Sequence, residues 1–369
     1  MFDPARFVEE EVEKLRKAHG RAERVLAAIS GGVDSVTSAV LVRRALGGVV
    51  RAIYINTGFM RLGEERIVAD SLKGLIDVDI VDRSERFYRA ILGLGDAEEK
   101  RIAFRDVFYR VLAELIREYR CDYLVQGTIK ADIVETVGGV KTQHNVLSEE
   151  LQRSYGVKVI EPLKELYKHE VREVAKYLGI PDSIAKRQPF PGPGLLVRTV
   201  GMFTLEKLGV VQKATKVVED LLSNAGASQY FAAVWEYEVG GLNTLCLSSG
   251  RCLEFYKFKT LGTGVRDGKR IYAPVALVKQ SVDLSESEIS EFTERAGVSR
   301  LVALLTERSS GKYFVSVRAI GTLDFITAKV VVPSPDILSR VGSQILEIDK
   351  VKAVGFDITP KPPATIEYE

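Results

Sequence analysis

Six consecutive residues, Ser30-Gly31-Gly32-Val33-Asp34-Ser35, have the types and spacing for phosphate chemistry. They follow the short apolar run "VLAAI" and precede "VTSAVLV", whose apolar residues recur at a different period. A strand feeding a glycine turn into a helix start is an anion site, because the turn's N–H groups point outward and the helix dipole favours negative charge there. Gly31 and Gly32 let the backbone approach a phosphate closely and take conformations barred to other residues. Ser30 and Ser35 add hydroxyl donors, and Asp34 is placed to hold Mg²⁺ against phosphate oxygens. A Walker A loop would end in Lys-Ser/Thr and a Rossmann loop would read G-x-G-x-x-G; neither is present.

Such a loop needs a sheet to carry it. "RVLAAIS" reads as a buried strand, preceded by a leading helix with Phe7, Val8, Val12 and Leu15 on one face. A helix follows from Val33 to Leu46, then strands "VVRAIYIN" and "VDIVD" with the helix "EERIVADSLKGL" between them. A long amphipathic helix over Ala97–Glu118 leads into the strand "DYLVQGT". Strands alternating with helices predict an α/β domain built on a parallel sheet, with ligands beyond the carboxyl ends of the strands. Ser30–Ser35, Asn56–Arg61 and Gln126–Glu135 all follow strand ends and can converge there.

"KRQPFPGPGLLVR" breaks the alternation, since Pro191 to Gly194 can continue neither a helix nor a central strand. The division expected is 1–190 for the nucleotide domain, 191–200 for a linker and 201–369 for an α+β domain that opens on a helix, Leu205 to Leu222. "GKRIYAPVALV" from Gly268 and "GKYFVSVRAI" from Gly311 are alike enough to suggest two related hairpin units, and short enough to be chance.

Bulk properties set limits. The 369 residues are 46% hydrophobic and 28% charged with a net charge of +2, so no polyanion-binding surface and hence no nucleic-acid partner is implied. No run approaches the ~18 apolar residues of a membrane span, and the acidic helical start is unlike a signal peptide. Cys121, Cys246 and Cys252 with His19, His144 and His169 show no zinc spacing. A reducing cytoplasm is the economical expectation, with Cys246 and Cys252 as core residues.

The unit S-G-G-V-D-S resembles the pyrophosphate loop of the N-type ATP pyrophosphatases. "PFPGPGLLVR", "QGTIKADIVE", "KTQHNV", "IEPLKELYKHEVREVAKYLGIP", "VRAIGTLDFITA" and "KPPATIEYE" are similar, among these enzymes, to motifs of the GMP synthetases. That resemblance implies adenylation of the xanthine oxygen of XMP by ATP with release of pyrophosphate, followed by displacement of AMP by ammonia. It implies that Ser30 to Ser35 bind pyrophosphate, with Asp34 as the Mg²⁺ ligand. Asp132 and Glu135 match acids near the adenylation centre, and Lys141 a lysine that reaches pyrophosphate oxygens. Arg61, Gly192, Gln229, Arg318, Lys361, Ile366 and Glu367 match positions that help bind XMP. A homodimer formed through the C-terminal domain is implied as well.

The sequence departs from the family pattern at Asn56, Ala131 and Gln143. His144 is open between a hydrogen-bonding contact and a ligand or base. Little chain precedes the first strand, so no glutaminase domain is expected here, and ammonia is expected free or from a separate glutaminase subunit. Two other readings compete: another adenylating enzyme of the same fold, and a nucleotide-binding regulatory subunit without turnover.

Overall fold

A computed structural model describes residues 2–130, 156–279, 283–322 and 327–369. They group into two compact units. The first takes Met1–Gly58, Gly63–Phe87 and Arg105–Gly192; the second takes Phe59–Leu62, Tyr88–Phe104 and Pro193–Glu369.

The first unit holds α1 (Pro4–His19), β1 (Val25–Ile29), α2 (Val33–Leu46), β2 (Val50–Asn56), α3 (Glu64–Ser71), β3 (Val78–Asp82), β4 (Tyr123–Val125) and β5 (Lys158–Ile160), then helices Lys168–Tyr177 and Asp182–Ala185. Two helices, α4 (Ser84–Ile91) and α5 (Ala97–Glu118), follow β3 in the chain. The five strands are all parallel, in the order β3-β2-β1-β4-β5. In β1, Val25, Leu26, Ala27 and Ile29 are buried, as a strand covered on both faces requires. Val8, Val12 and Leu15 form the buried face of α1, which packs with α2 and the Lys168–Tyr177 helix. The strand order reverses at β1, with β2 on one side and β4 on the other. Ser30 and Gln126 leave their strands at this switch point, the place where open α/β sheets bind their ligands.

The Pro193–Glu369 part of the second unit begins with a 3₁₀ turn, Gly194–Arg198, and a helix, Leu205–Leu222. Its strands are β6 (Gln229–Glu236), β7 (Asn243–Cys246), β8 (Cys252–Arg266), β9 (Lys269–Val278), β10 (Arg300–Glu307), β11 (Tyr313–Gly321), β12 (Lys329–Val330) and β13 (Val351–Asp357), with helices Glu286–Ala296 and Pro335–Leu346 between them. The sheet order is β12-β11-β13-β10-β9-β8-β7, with β6 also paired to β11. Two β-α-β units face one another in it. Strand β9 crosses over through Glu286–Ala296 to the parallel β10, and β11 crosses over through Pro335–Leu346 to the parallel β13. Each first strand has an antiparallel neighbour, β8 or β6, and the two units join where β10 meets β13 antiparallel. The two similar sequences lie on the corresponding strands β9 and β11. Trp235, Phe258, Phe314 and Tyr368 centre the core of this unit.

The cysteine expectation is corrected. Cys246 and Cys252 are exposed, sit opposite each other on β7 and β8, and form a disulfide. Strand alternation turns both side chains to the open face, which apolar composition could not reveal. The cysteines therefore give no support to a reducing compartment. Among the described residues, no helix is long and apolar enough to cross a membrane.

Candidate functional site

The loop after β1 is shaped by its own hydrogen bonds. The Ser35 hydroxyl accepts from the Ser30 N–H at 3.2 Å and donates to the Gly32 carbonyl at 3.1 Å. Ser30 and Ser35 hydroxyls lie 3.0 Å apart. Gly31 has φ +80°, and a Cβ there would stand 2.9 Å from Val68. Behind it, Arg187 and Glu64 form an ion pair at 3.0 Å, with Glu64 buried. Val33 turns into the core, whereas Ser30 and Gly32 face solvent. The turn and the first N–H groups of α2 thus stand together at the end of β1, held by the loop's own hydrogen bonds, with Ser30 and Gly32 exposed.

Asp34 stands in the first turn of α2. Its Oδ2 accepts from Lys168 Nζ at 2.5 Å. The loop after β4 closes on the same place: a Cβ on Gly127 would lie 2.7 Å from the Ser35 nitrogen, so only glycine fits. Thr128 then donates to Glu161 at 2.6 Å, tying that loop to the end of β5. At the end of β2, Asn56 Oδ1 accepts from the Gly58 N–H at 2.9 Å, a turn-forming bond that a neutral amide makes as well as a carboxylate. Asp132, Glu135 and Lys141 lie outside the described residues, as do Ala131, Gln143 and His144.

Most of the expected XMP residues belong to the second unit. Arg61 Nε donates to both oxygens of Glu219, at 2.7 and 2.9 Å. Gln229 opens β6, is buried, and pairs in register with Ile320 of β11. Arg318 is wholly enclosed: it pairs with Asp357 at 2.9 Å and donates to the carbonyls of Thr359 at 2.8 Å and Thr365 at 3.3 Å. Arg300 pairs with the same Asp357 at 2.9 Å, and the Tyr368 hydroxyl donates to it at 2.7 Å. Burial alone would raise the Asp357 carboxyl; Arg318 and Arg300 hold it below its ordinary value. Lys361 and Ala328 exchange backbone hydrogen bonds at 2.9 and 3.0 Å. Ile366 packs on the Trp235 cluster, and Glu367 accepts two bonds from Arg198. Gly192 is exposed at the end of the first unit. Two residues on, Gly194 takes φ +64°, and a Cβ there would strike the Phe59 carbonyl.

Sequence reasoning missed Lys168, Gly127 and the Glu64–Arg187 pair in the first unit, and Lys100, Arg300 and Asp357 in the second. Gly127 left a signal, a glycine directly after a strand. The others left none, since only the fold brings them to their partners.

A five-stranded parallel sheet with a glycine turn at its switch point, and an acid in the first turn of the helix that follows, is the architecture of an α/β protein that takes its ligand beyond the strand ends. The GMP synthase C terminal domain family matches residues 289–368. The B subunit of glutamine-hydrolyzing GMP synthase from Saccharolobus solfataricus is 46% identical, with both chains covered in full. The protein of that name from Archaeoglobus fulgidus is 37% identical, again with both chains covered in full. NMN synthetase from Francisella tularensis aligns in structure at 18% identity and a TM-score of 0.40, over 53% of this chain and 78% of its own. The chain belongs to the family of B subunits of glutamine-hydrolyzing GMP synthase, and it is a ligase.

Proposed function

We propose that the chain adenylates XMP with ATP and then lets ammonia replace the adenylate, giving GMP, AMP and pyrophosphate. The Ser30–Ser35 loop, held by its own hydrogen bonds, carries the reading, because a loop fixed before ligand arrives can stabilise a leaving pyrophosphate without reorganising. In the first step the XMP O2 attacks the α-phosphorus, and the bond from that phosphorus to the oxygen bridging to the β-phosphate breaks. In the second, ammonia adds at C2, loses a proton, and the C2–O bond breaks with AMP as leaving group. Adenylation is needed because the unactivated oxygen leaves poorly.

Residue roles follow. Ser30, Gly31, Gly32, Val33, Asp34 and Ser35 hold the pyrophosphate portion, and Lys141 adds a point charge. The family resemblance assigns Asp132 and Glu135 to the adenylation centre. Arg61, Gly192, Gln229, Lys361 and Ile366 bind XMP, with Lys361 toward its phosphate. Arg318 and Glu367 serve that pocket by fixing the segment that bears Lys361 and Ile366, since their own charged groups are engaged with Asp357 and Arg198.

Mg²⁺ fits this donor set in one way. Among the described residues no group of three or more acidic, histidine or cysteine side chains could cage a metal. Asp34 would share the ion with ATP oxygens, the usual arrangement for Mg²⁺. Bound there, the ion would neutralise charge growing on the leaving group.

Ammonia supplied by a separate glutaminase subunit agrees with the relatives' naming as one lettered subunit of a glutamine-hydrolyzing enzyme. The homodimer implied by the family resemblance completes the proposal, and sedimentation equilibrium checks it. The test of the reaction is Asp34→Asn, assayed with ATP, XMP, Mg²⁺ and ammonium. AMP and GMP formation should cease while the fold persists; near-normal turnover would sink the assignment.

A further inference from the structure

We propose that Glu219 is a positioning residue for XMP, which fixes the guanidinium of Arg61 in the orientation that meets the substrate. The proposal rests on the amination of XMP put forward above and on Arg61 as one of the residues that bind it.

Arg61 lies in a four-residue segment, Phe59–Leu62, that packs as part of the second unit although its chain neighbours on both sides belong to the first. The segment is held residue by residue. The buried Phe59 ring meets the Phe203 ring edge-on, with centroids 5.3 Å apart, and the Phe59 carbonyl accepts from the Leu195 N–H at 2.6 Å. The Met60 carbonyl accepts from Gln212 Nε2 at 3.1 Å. Arg61 Nε donates to both carboxylate oxygens of Glu219. Gln212 and Glu219 are about two turns apart on the helix Leu205–Leu222 and so share one face of it. That face grips the backbone of the segment with one side chain and its charge with the other.

The bond itself says what Glu219 does. Nε is the guanidinium nitrogen nearest the chain, so a carboxylate that clasps it fixes the stem and sets the direction of the Nη groups beyond. An arginine held in this way has lost its rotamer freedom before the ligand arrives, and binding need not remove it. The Arg61 side chain is 10% exposed and that of Glu219 24%, so water competes little for the pair. The Tyr230 hydroxyl is held above its ordinary value by burial and then by the Glu219 charge, which Arg61 opposes. The pair therefore stands near the start of β6, where Gln229 is also read as an XMP residue. A carboxylate alone would repel an anionic nucleotide. Paired with Arg61 it is neutralised, and its hold on the guanidinium is what remains.

Steady-state kinetics of the full chain with ATP, XMP, Mg²⁺ and ammonium test this. Glu219→Ala should raise the KM for XMP by about tenfold or more, the scale of a charge-assisted hydrogen bond, with the KM for ATP unmoved. Glu219→Gln keeps an oxygen to accept from Nε and should recover part of the loss. Added to Arg61→Ala, Glu219→Ala should raise the KM no further, because it acts through that arginine. A purely structural role would lower kcat through unfolded molecules and leave the KM for XMP where it was, which overturns the proposal. So does a KM for XMP that falls, since Glu219 would then be competing with substrate for the guanidinium. An unchanged KM for XMP in Arg61→Ala alone would instead overturn the reading of Arg61, and no GMP from the unaltered chain would overturn the reaction; either takes this proposal with it.

Discussion

Arg198 and Glu367, 169 positions apart, meet through two hydrogen bonds of 2.9 Å, Nε to Oε2 and Nη2 to Oε1. The guanidinium is buried and lies over the Phe231 ring at 4.1 Å. Beside this fork, Tyr368 is enclosed between Ser316 and Asp357, and Glu369 pairs with the buried Lys100. The segment "KPPATIEYE" is therefore part of the core of the second unit before it is part of any pocket. Glu367→Gln should destabilise that unit by about 3 kcal/mol, the lower end for a broken buried pair, because Glu367 keeps some exposure while Arg198 keeps a stranded charge. Urea unfolding of the two proteins measures the difference.

Removal of Lys361–Glu369 should do far more than weaken XMP binding. It strips the carboxylate partners from Arg198 and Lys100 and the Thr365 and Glu367 acceptors from Arg300, which keeps only Asp357, so the second unit should lose cooperative unfolding. Lys361→Ala should instead leave the melting temperature unchanged and raise the KM for XMP. Calorimetry of the truncated chain, set beside kinetics of the point variant, separates clamp from contact. A truncation that melts normally would restore the view of the tail as a ligand-binding extension.

Gly127→Ala should disturb the phosphate loop from behind. The added Cβ would stand 2.7 Å from the Ser35 nitrogen and 2.9 Å from the Asp34 carbonyl carbon, both backbone atoms that cannot rotate away. ATP binding should fall about tenfold or more with little change in helix content, since displacement by even an ångström at a site of this kind is costly. Fluorescence titration with a labelled ATP analogue, alongside circular dichroism, checks both halves of the expectation.

Glu206 gives a pH signature. Hydrogen bonds from Lys350 and Tyr313 pull its carboxyl down from 4.5 to about 2. A depressed folded value means the proton binds the unfolded chain more readily, so this contribution is present above pH 4.5 and lost as pH falls toward 2. The stability gap between the unaltered chain and Glu206→Gln should be full at pH 6 and close across that window. A gap constant down to pH 2 would contradict it. Melting curves at a series of pH values measure it.

Local pattern makes much of this structure legible. The strand-helix alternation of the first unit, the bounds of α2 and α5, and the helix Leu205–Leu222 all follow from apolar period and turn residues. The phosphate loop is readable because strand, glycines, acid and helix are contiguous. Contacts that join distant segments are not. Lys168 has no spacing relation to Asp34 that periodicity could register, and Arg318 on a strand looks the same whether it meets solvent or Asp357. Cys246 and Cys252 mislead because burial depends on which face of β7 and β8 is covered, and a short strand does not declare that.

The central claim is that ATP activates the XMP oxygen at C2 as a leaving group. XMP labelled with ¹⁸O at that position, incubated with the chain, ATP, Mg²⁺ and ammonium, tests it most directly. The account predicts GMP without the label and AMP carrying one ¹⁸O on its phosphate, with unlabelled pyrophosphate formed in equal amount. Label in pyrophosphate or orthophosphate, or unlabelled AMP accompanying GMP, would contradict it.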